Sequence, residues 1–161
     1  MTEAQHKYIE QLYYEMYDKM LSYARSSLRS EGLAEEAVQE AFRVACQKPE
    51  QLCESVNPRG WLVQTLKYII RNTKANQAAA LRIIERYSQA KGDDLLSSTD
   101  KLDLRILFGD IADTEEFKLL FELVFEGRSY LEMAASRGIS VDACKKRVQR
   151  AKESLREKIN L

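Results

Sequence analysis

The sequence predicts an all-α protein: two small helical domains joined by a linker, the C-terminal one a helix-turn-helix. Three observations predict it. Apolar residues recur at three- and four-residue spacing along most of the 161-residue chain. Only 6 Gly and 2 Pro occur, too few for a turn-rich β-fold. The periodicity weakens for one long stretch, which holds KGDDLLSSTD, and such clustered Gly, Asp and Ser read as loop. The expected organisation is a domain at 1–76, a linker at 77–102 and a domain at 103–161.

Each element has its own signal. Ile9, Leu12, Tyr13, Met16, Met20, Ala24 and Leu28 mark a first helix, which Ser30, Glu31 and Gly32 interrupt. Ala34, Ala37, Val38, Ala41, Phe42 and Ala45 share one face of a second. Pro49 ends it, because proline disfavours helix at the residue before it. A polar loop is expected through Asn57. Asn57-Pro58 then opens a third helix, with Asn as the cap and Pro in the first turn. Its stripe is Trp61, Leu62, Thr65, Leu66, Ile69, Ile70 and Thr73. Three such stripes can bury one another in a small helical domain.

Within the linker, 78–90 has partial helical character. Helix resumes near Leu102: Leu104, Leu107 and Ile111 mark one segment, and Phe117, Leu120, Phe121 and Val124 another, with Gly127 as its stop. Ser129 and Glu132 form a capping box for a helix that reaches about Arg137. Gly138 suits a turn that needs positive φ, and small Ala134 and Gly138 are expected to let the two flanking helices cross closely. Ser140 caps the last helix, Asp142 suits its first turn, and Cys144, Val148, Ala151 and Leu155 form its buried stripe.

Composition excludes several functions. No stretch approaches the roughly 20 apolar residues of a membrane span, and MTEAQHKYIEQ has no apolar leader core. Three Cys argue against a disulfide framework, so a reducing cytoplasm is the expected location. For Cys46, Cys53 and Cys144 a three-thiolate metal site or a redox switch is the alternative, but no fourth ligand is evident; buried soft side chains are expected there, with no metal and no cofactor. One histidine, His6, gives no basis for a His-dependent triad, and no phosphate-cradling glycine loop occurs. A non-enzymatic protein is expected.

Net charge is zero, yet charge is segregated. In 31–54, Glu31, Glu35, Glu36, Glu40, Glu50 and Glu54 oppose Arg43 and Lys48. In 57–91, Arg59, Lys67, Arg71, Lys74, Arg82, Arg86 and Lys91 oppose only Glu85. Segment 113–127 is again acidic and 128–161 again basic. The last helix is expected to present Lys145, Lys146, Gln149, Arg150 and Lys152 away from its stripe. A helix of that width fits a DNA major groove, where Lys and Arg meet phosphates or guanine and Gln149 meets adenine. On the third helix Lys67, Arg71 and Lys74 form a strip beside Gln64, Tyr68 and Asn72. That combination follows a nucleic-acid backbone and offers stacking to an unpaired base, although a solvated face explains it equally well. Glu35, Glu36, Gln39 and Glu40 on the second helix read first as a solubilising face, or as a dock for a basic or amide-rich protein partner.

Taken together, these segments resemble the bacterial RNA polymerase sigma factors of the extracytoplasmic-function subfamily. AEEAVQEAF (34–42) is similar to that family's acidic pair followed by V-Q-E-x-F. NPRGWLVQTLKYIIRN (57–72) resembles its Trp-Leu-opened helix, and GRSYLEMAASRGISVDACKKRVQRAKESLRE (127–157) its C-terminal helix-turn-helix. The likeness covers about 8–74 and 103–158, the parts numbered region 2 and region 4 in that family. The pattern departs at Cys46, often Trp in the family, at Cys144, often Thr or β-branched, and at Leu66-Lys67-Tyr68, often A-R-N.

The resemblance implies roles. Glu35, Glu36, Gln39 and Glu40 would dock on core RNA polymerase at its β′ clamp helices, with the β flap as a second contact. Lys67, Arg71, Asn72 and Lys74, with loop 47–57, would hold the unpaired strand of the promoter minus-ten element. Ser140, Lys145, Lys146, Arg147 and Arg150 would contact the minus-thirty-five element. An anti-sigma protein is a further partner the resemblance allows. The rival readings are a self-sufficient helix-turn-helix regulator and a degenerate sigma-like interaction module.

Overall fold

The structure, a computed structural model, describes residues 1–90 and 114–159. Among the described residues it is all-helical: α1 Glu3–Leu28, α2 Glu31–Gln47, α3 Pro49–Cys53, α4 Pro58–Ala90, α5 Glu115–Val124, α6 Tyr130–Arg137 and α7 Val141–Ile159. The chain divides into two compact units, Met1–Lys74 and Ala75–Leu161, and the boundary falls inside α4. The segment expected around Leu104, Leu107 and Ile111, like the linker beyond residue 90, lies outside the described residues.

In the first unit α1 starts from a capping box. Thr2 Oγ1 accepts from the Gln5 amide at 3.1 Å, and Gln5 Oε1 accepts from the Thr2 amide at 2.9 Å. It ends at Arg29, whose φ of 54° is left-handed. Ser30 then caps α2 through the Leu33 amide at 3.3 Å, so the expected interruption is a single cap position and Glu31 and Gly32 are already helical. Ile9, Leu12, Met16, Met20, Leu21 and Ala24 of α1 pack with Ala34, Ala37, Val38, Ala41, Phe42 and Ala45 of α2. Tyr13, expected on that stripe, is 38% exposed.

The polar loop expected after residue 49 contains α3, which buries Leu52 fully in the same core. Pro49 both stops α2 and opens α3, because its missing amide would have no partner in a first turn. Leu62, Leu66 and Ile70 of α4 close the core. Asn57 caps α4 as expected: its Oδ1 accepts from the Gly60 amide at 3.0 Å.

The expected linker does not begin at residue 77. Helix α4 runs without interruption from Pro58 to Ala90. No Gly or Pro occurs between Gly60 and Gly92, and Ala78 to Ala80 favour helix. Ala80, Ile83, Ile84 and Tyr87 repeat the three- and four-residue spacing and enter the core of the second unit. There they join Phe117, Leu120, Phe121 and Leu123 of α5, Met133 and Ala134 of α6, and Cys144, Val148, Ala151 and Leu155 of α7. Gln77 Nε2 donates to the Leu123 carbonyl at 3.2 Å, which satisfies a terminal carbonyl of α5.

An ionic clamp adds to this core. The two carboxylate oxygens of Glu122 on α5 take Arg128 Nη1 at 2.7 Å and Arg137 Nη2 at 2.6 Å, and Arg137 Nε reaches Glu115 at 2.6 Å. The Glu122 and Arg137 side chains are only 13% and 15% exposed, so the pair works where solvent screens poorly. It ties the end of α6 to α5 beside the turn that leads into α7.

Candidate nucleic-acid interface

The turn between α6 and α7 is built as its sequence suggests. Ser129 Oγ accepts from the Glu132 amide at 3.1 Å, and Glu132 returns an acceptor to the Ser129 amide at 3.3 Å. Gly138 ends α6 at φ 63°. Its role is that left-handed backbone alone: a Cβ placed there would meet nothing within 4 Å, so the close crossing expected of Gly138 is not its function. Ser140 Oγ caps α7 by accepting from the Ala143 amide at 3.1 Å. The hydroxyl keeps its own proton to donate to an outside acceptor.

Lys145, Lys146, Arg147, Gln149 and Arg150 are all exposed on the N-terminal half of α7. Gln149 Nε2 lies 3.4 Å from Glu153, a weak neighbour to leave for another partner. Lys152 departs from expectation: it is buried, 8% exposed. It stands four residues after Val148 and eight after Cys144, on the stripe itself, so its stem packs inward. Burial, with Arg156 nearby, pushes its pKa below the usual lysine value. Lys145 is held differently. Its Nζ sits over the Tyr130 ring of α6, 5.7 Å from the centroid.

On the first unit, Arg71, Asn72 and Lys74 are exposed along α4 and Lys67 is half-buried. Tyr68 beside them is 61% exposed. Lys67 Nζ lies over the ring of Tyr23 from α1, 5.9 Å from its centroid, and Tyr23 is itself 42% exposed. Tyr23 and Tyr130 had no signal in the sequence, because each meets its lysine across two helices. The first turn of α4 is fixed to α1 by Arg59, whose guanidinium donates to both Glu15 oxygens at 2.5 and 2.8 Å. That bond holds the Glu15 carboxyl below its ordinary value. Arg59 is therefore occupied, while Lys67, Arg71 and Lys74 carry no ion pair within their unit among the described residues.

The acidic face of α2 keeps Glu35 and Gln39 exposed, with Glu36 and Glu40 half-buried. Glu40 is paired with Arg43 through two bonds of 2.7 Å. The Arg25 guanidinium, bonded to Glu31, holds that carboxyl below its usual range. An aromatic border adjoins this face: the Tyr13 ring lies 5.0 Å from Tyr17 and from Phe42, and 5.8 Å from Tyr14. Burial, then Tyr13 and Glu35, push the Tyr17 hydroxyl up. Acid and aromatic side chains together suit a cationic, arginine-bearing partner.

The cysteines do not behave alike. Cys144 is buried as expected, Cys53 is half-buried with its thiol pushed up by burial and by Glu50 and Glu54, and Cys46 is exposed, against expectation. Among the described residues no group of three Cys, His, Asp or Glu side chains is placed to hold a metal ion, and no helix is long and apolar enough to cross a membrane. No family model, curated protein or solved structure matches the chain.

Proposed function

We propose that the chain is a sigma-type transcription initiation factor with no catalytic activity of its own. It binds core RNA polymerase through the acidic face of α2 and its aromatic border, with the β flap as a second contact. It directs the enzyme to promoters and helps open the duplex. In this reading α6, the Gly138 turn and α7 form a helix-turn-helix that reads the upstream element in duplex form. Lys146, Gln149 and Arg150 face the major groove, and Ser140, Lys145 and Arg147 hold phosphates. Lys67, Arg71, Asn72 and Lys74 grip the strand released by opening, and Tyr68 stacks on its bases.

One observation carries the reading: each of two separately cored units exposes a basic helix, and among the described residues only that of the first unit is accompanied by exposed aromatic side chains. A surface that captures unpaired bases gains affinity only after the duplex has opened, which couples binding to melting. Two weak contacts on one chain become strong when the polymerase holds both sites at a matching distance. An anti-sigma protein would act by covering these basic faces.

The test is in-vitro transcription with purified core polymerase on a pooled promoter library. The proposal expects discrete transcripts that core alone does not make. No transcript on any template, together with duplex footprints made by the chain without polymerase, would assign it to the self-sufficient regulators instead. Polymerase binding without transcription would mark it as a sigma-like interaction module.

A further inference from the structure

We infer that Tyr23 and Tyr130 are positioning residues for nucleic-acid contact: each fixes, from a neighbouring helix, the lysine that its unit presents to phosphate. The inference rests on the proposed function and names a device within it. Lys67 Nζ stands 5.9 Å from the Tyr23 ring centroid and Lys145 Nζ 5.7 Å from that of Tyr130. Among the described residues the two cores are separate, yet in each unit one lysine of the basic helix stands over one tyrosine of another helix of the same unit.

The physical consequence follows from lysine itself. Its four-carbon stem and compact charge lose rotamer freedom on binding. A ring face attracts the ammonium without neutralising it, so the side chain is ordered while its charge stays available. A carboxylate would order it too, but would also cancel the charge that phosphate needs. Tyr23 sits on α1 and Tyr130 opens α6, each in a helix anchored in its own core, so neither ring has to be ordered at the moment of binding.

The experiment measures binding of the full chain to two fluorescent probes, a random-sequence single strand and a random-sequence duplex, across a salt series. Lys67→Ala should lower the single-strand salt slope by about 0.7, and Lys145→Ala the duplex slope by about 0.9, one phosphate contact each. Tyr23→Leu and Tyr130→Leu should weaken the corresponding probe by about two- to fivefold. Tyr23→Phe and Tyr130→Phe keep the ring and should bind as the parent does. The deciding measurement is the double variant: once Lys67 is alanine, Tyr23→Leu should add nothing, and likewise Tyr130→Leu after Lys145→Ala. Additive losses would mean that the tyrosines touch nucleic acid themselves, and would overturn the inference alone. An effect of the lysine with none of the tyrosine would do the same. Lysine variants that bind both probes unchanged would remove the inference and the DNA-contact reading together.

Discussion

The two basic helices carry similar charge but different company. On α4 the lysines and arginine stand beside Tyr68, Asn72 and the Tyr23 ring, all open to solvent. On α7 the exposed neighbours of the basic residues are Gln149, the capping Ser140, Asp142 and Glu153, with no ring among them, and its one tyrosine partner, Tyr130, is half-buried. Charge alone attracts any nucleic acid; what surrounds it decides the form that fits. Exposed rings reward unpaired bases. A capped, ring-free helix leaves a smooth ridge for a groove. The stabilising forces differ as well: in the first unit Arg25, Arg43 and Arg59 make ion pairs at the surface, whereas the second holds the half-buried Glu122 clamp.

That contrast can be broken in several places. The largest effect is expected from Glu122→Ala, which takes the carboxylate from Arg128 and leaves the half-buried Arg137 only its bond to Glu115, and should destabilise the second unit by about 2 kcal/mol. Denaturant unfolding followed by hydrogen exchange should locate the loss in 115–159 and leave 3–70 unchanged. Next come the nucleic-acid faces. Tyr68→Ala should weaken single-strand binding by about 1–3 kcal/mol and leave duplex binding alone. Arg150→Ala should do the reverse by about 1–3 kcal/mol if it makes a base contact. A loss shared equally between probes would erase the distinction between the two basic helices.

Lys152→Met is expected to stabilise the second unit, by less than about 1 kcal/mol, since it removes a charge from the buried stripe. The sign with pH is defined. The folded pKa lies below the unfolded value of 10.5, so the folded state sheds its proton first. Wild-type stability should therefore rise as pH climbs from the lowered value towards 10.5, and Lys152→Met should lose that rise. The smallest effect concerns the exposed pair Glu15 and Arg59. Its contribution is present above the ordinary carboxylate value of 4.5 and fades as pH falls through the lowered folded value. Glu15→Gln should flatten that acid limb slightly in a pH series of melting temperatures.

Much of the fold was legible because its signals are local. The stripes of α1, α2 and α7, the Ser129 and Glu132 box and the Gly138 turn each depend on residues within one or two turns of helix. Helix α3 was not legible, since five residues are too few to show a period. The extension of α4 was hidden by the polar Asn76 and Gln77 ahead of Ala80, Ile83, Ile84 and Tyr87, whose spacing was nonetheless present. Lys152 departs from the sequence expectation because its charge argues for solvent while its place in the helical period puts it on the buried stripe. The basic side chains of the candidate site follow from the sequence pattern, as do Tyr13 and Phe42 as stripe residues, but the exposure of Tyr13 and the pairing of Tyr23 and Tyr130 with their lysines do not. Their part is set by distances between helices, which no single-helix pattern encodes.

The most direct test of the central claim is permanganate reactivity of thymines in a promoter duplex drawn from the transcription screen. The account predicts unpaired, reactive thymines only when chain and core polymerase are both present, with the signal reduced by Tyr68→Ala. Thymines that stay unreactive in the full complex, on a duplex the chain already protects by itself, would contradict it.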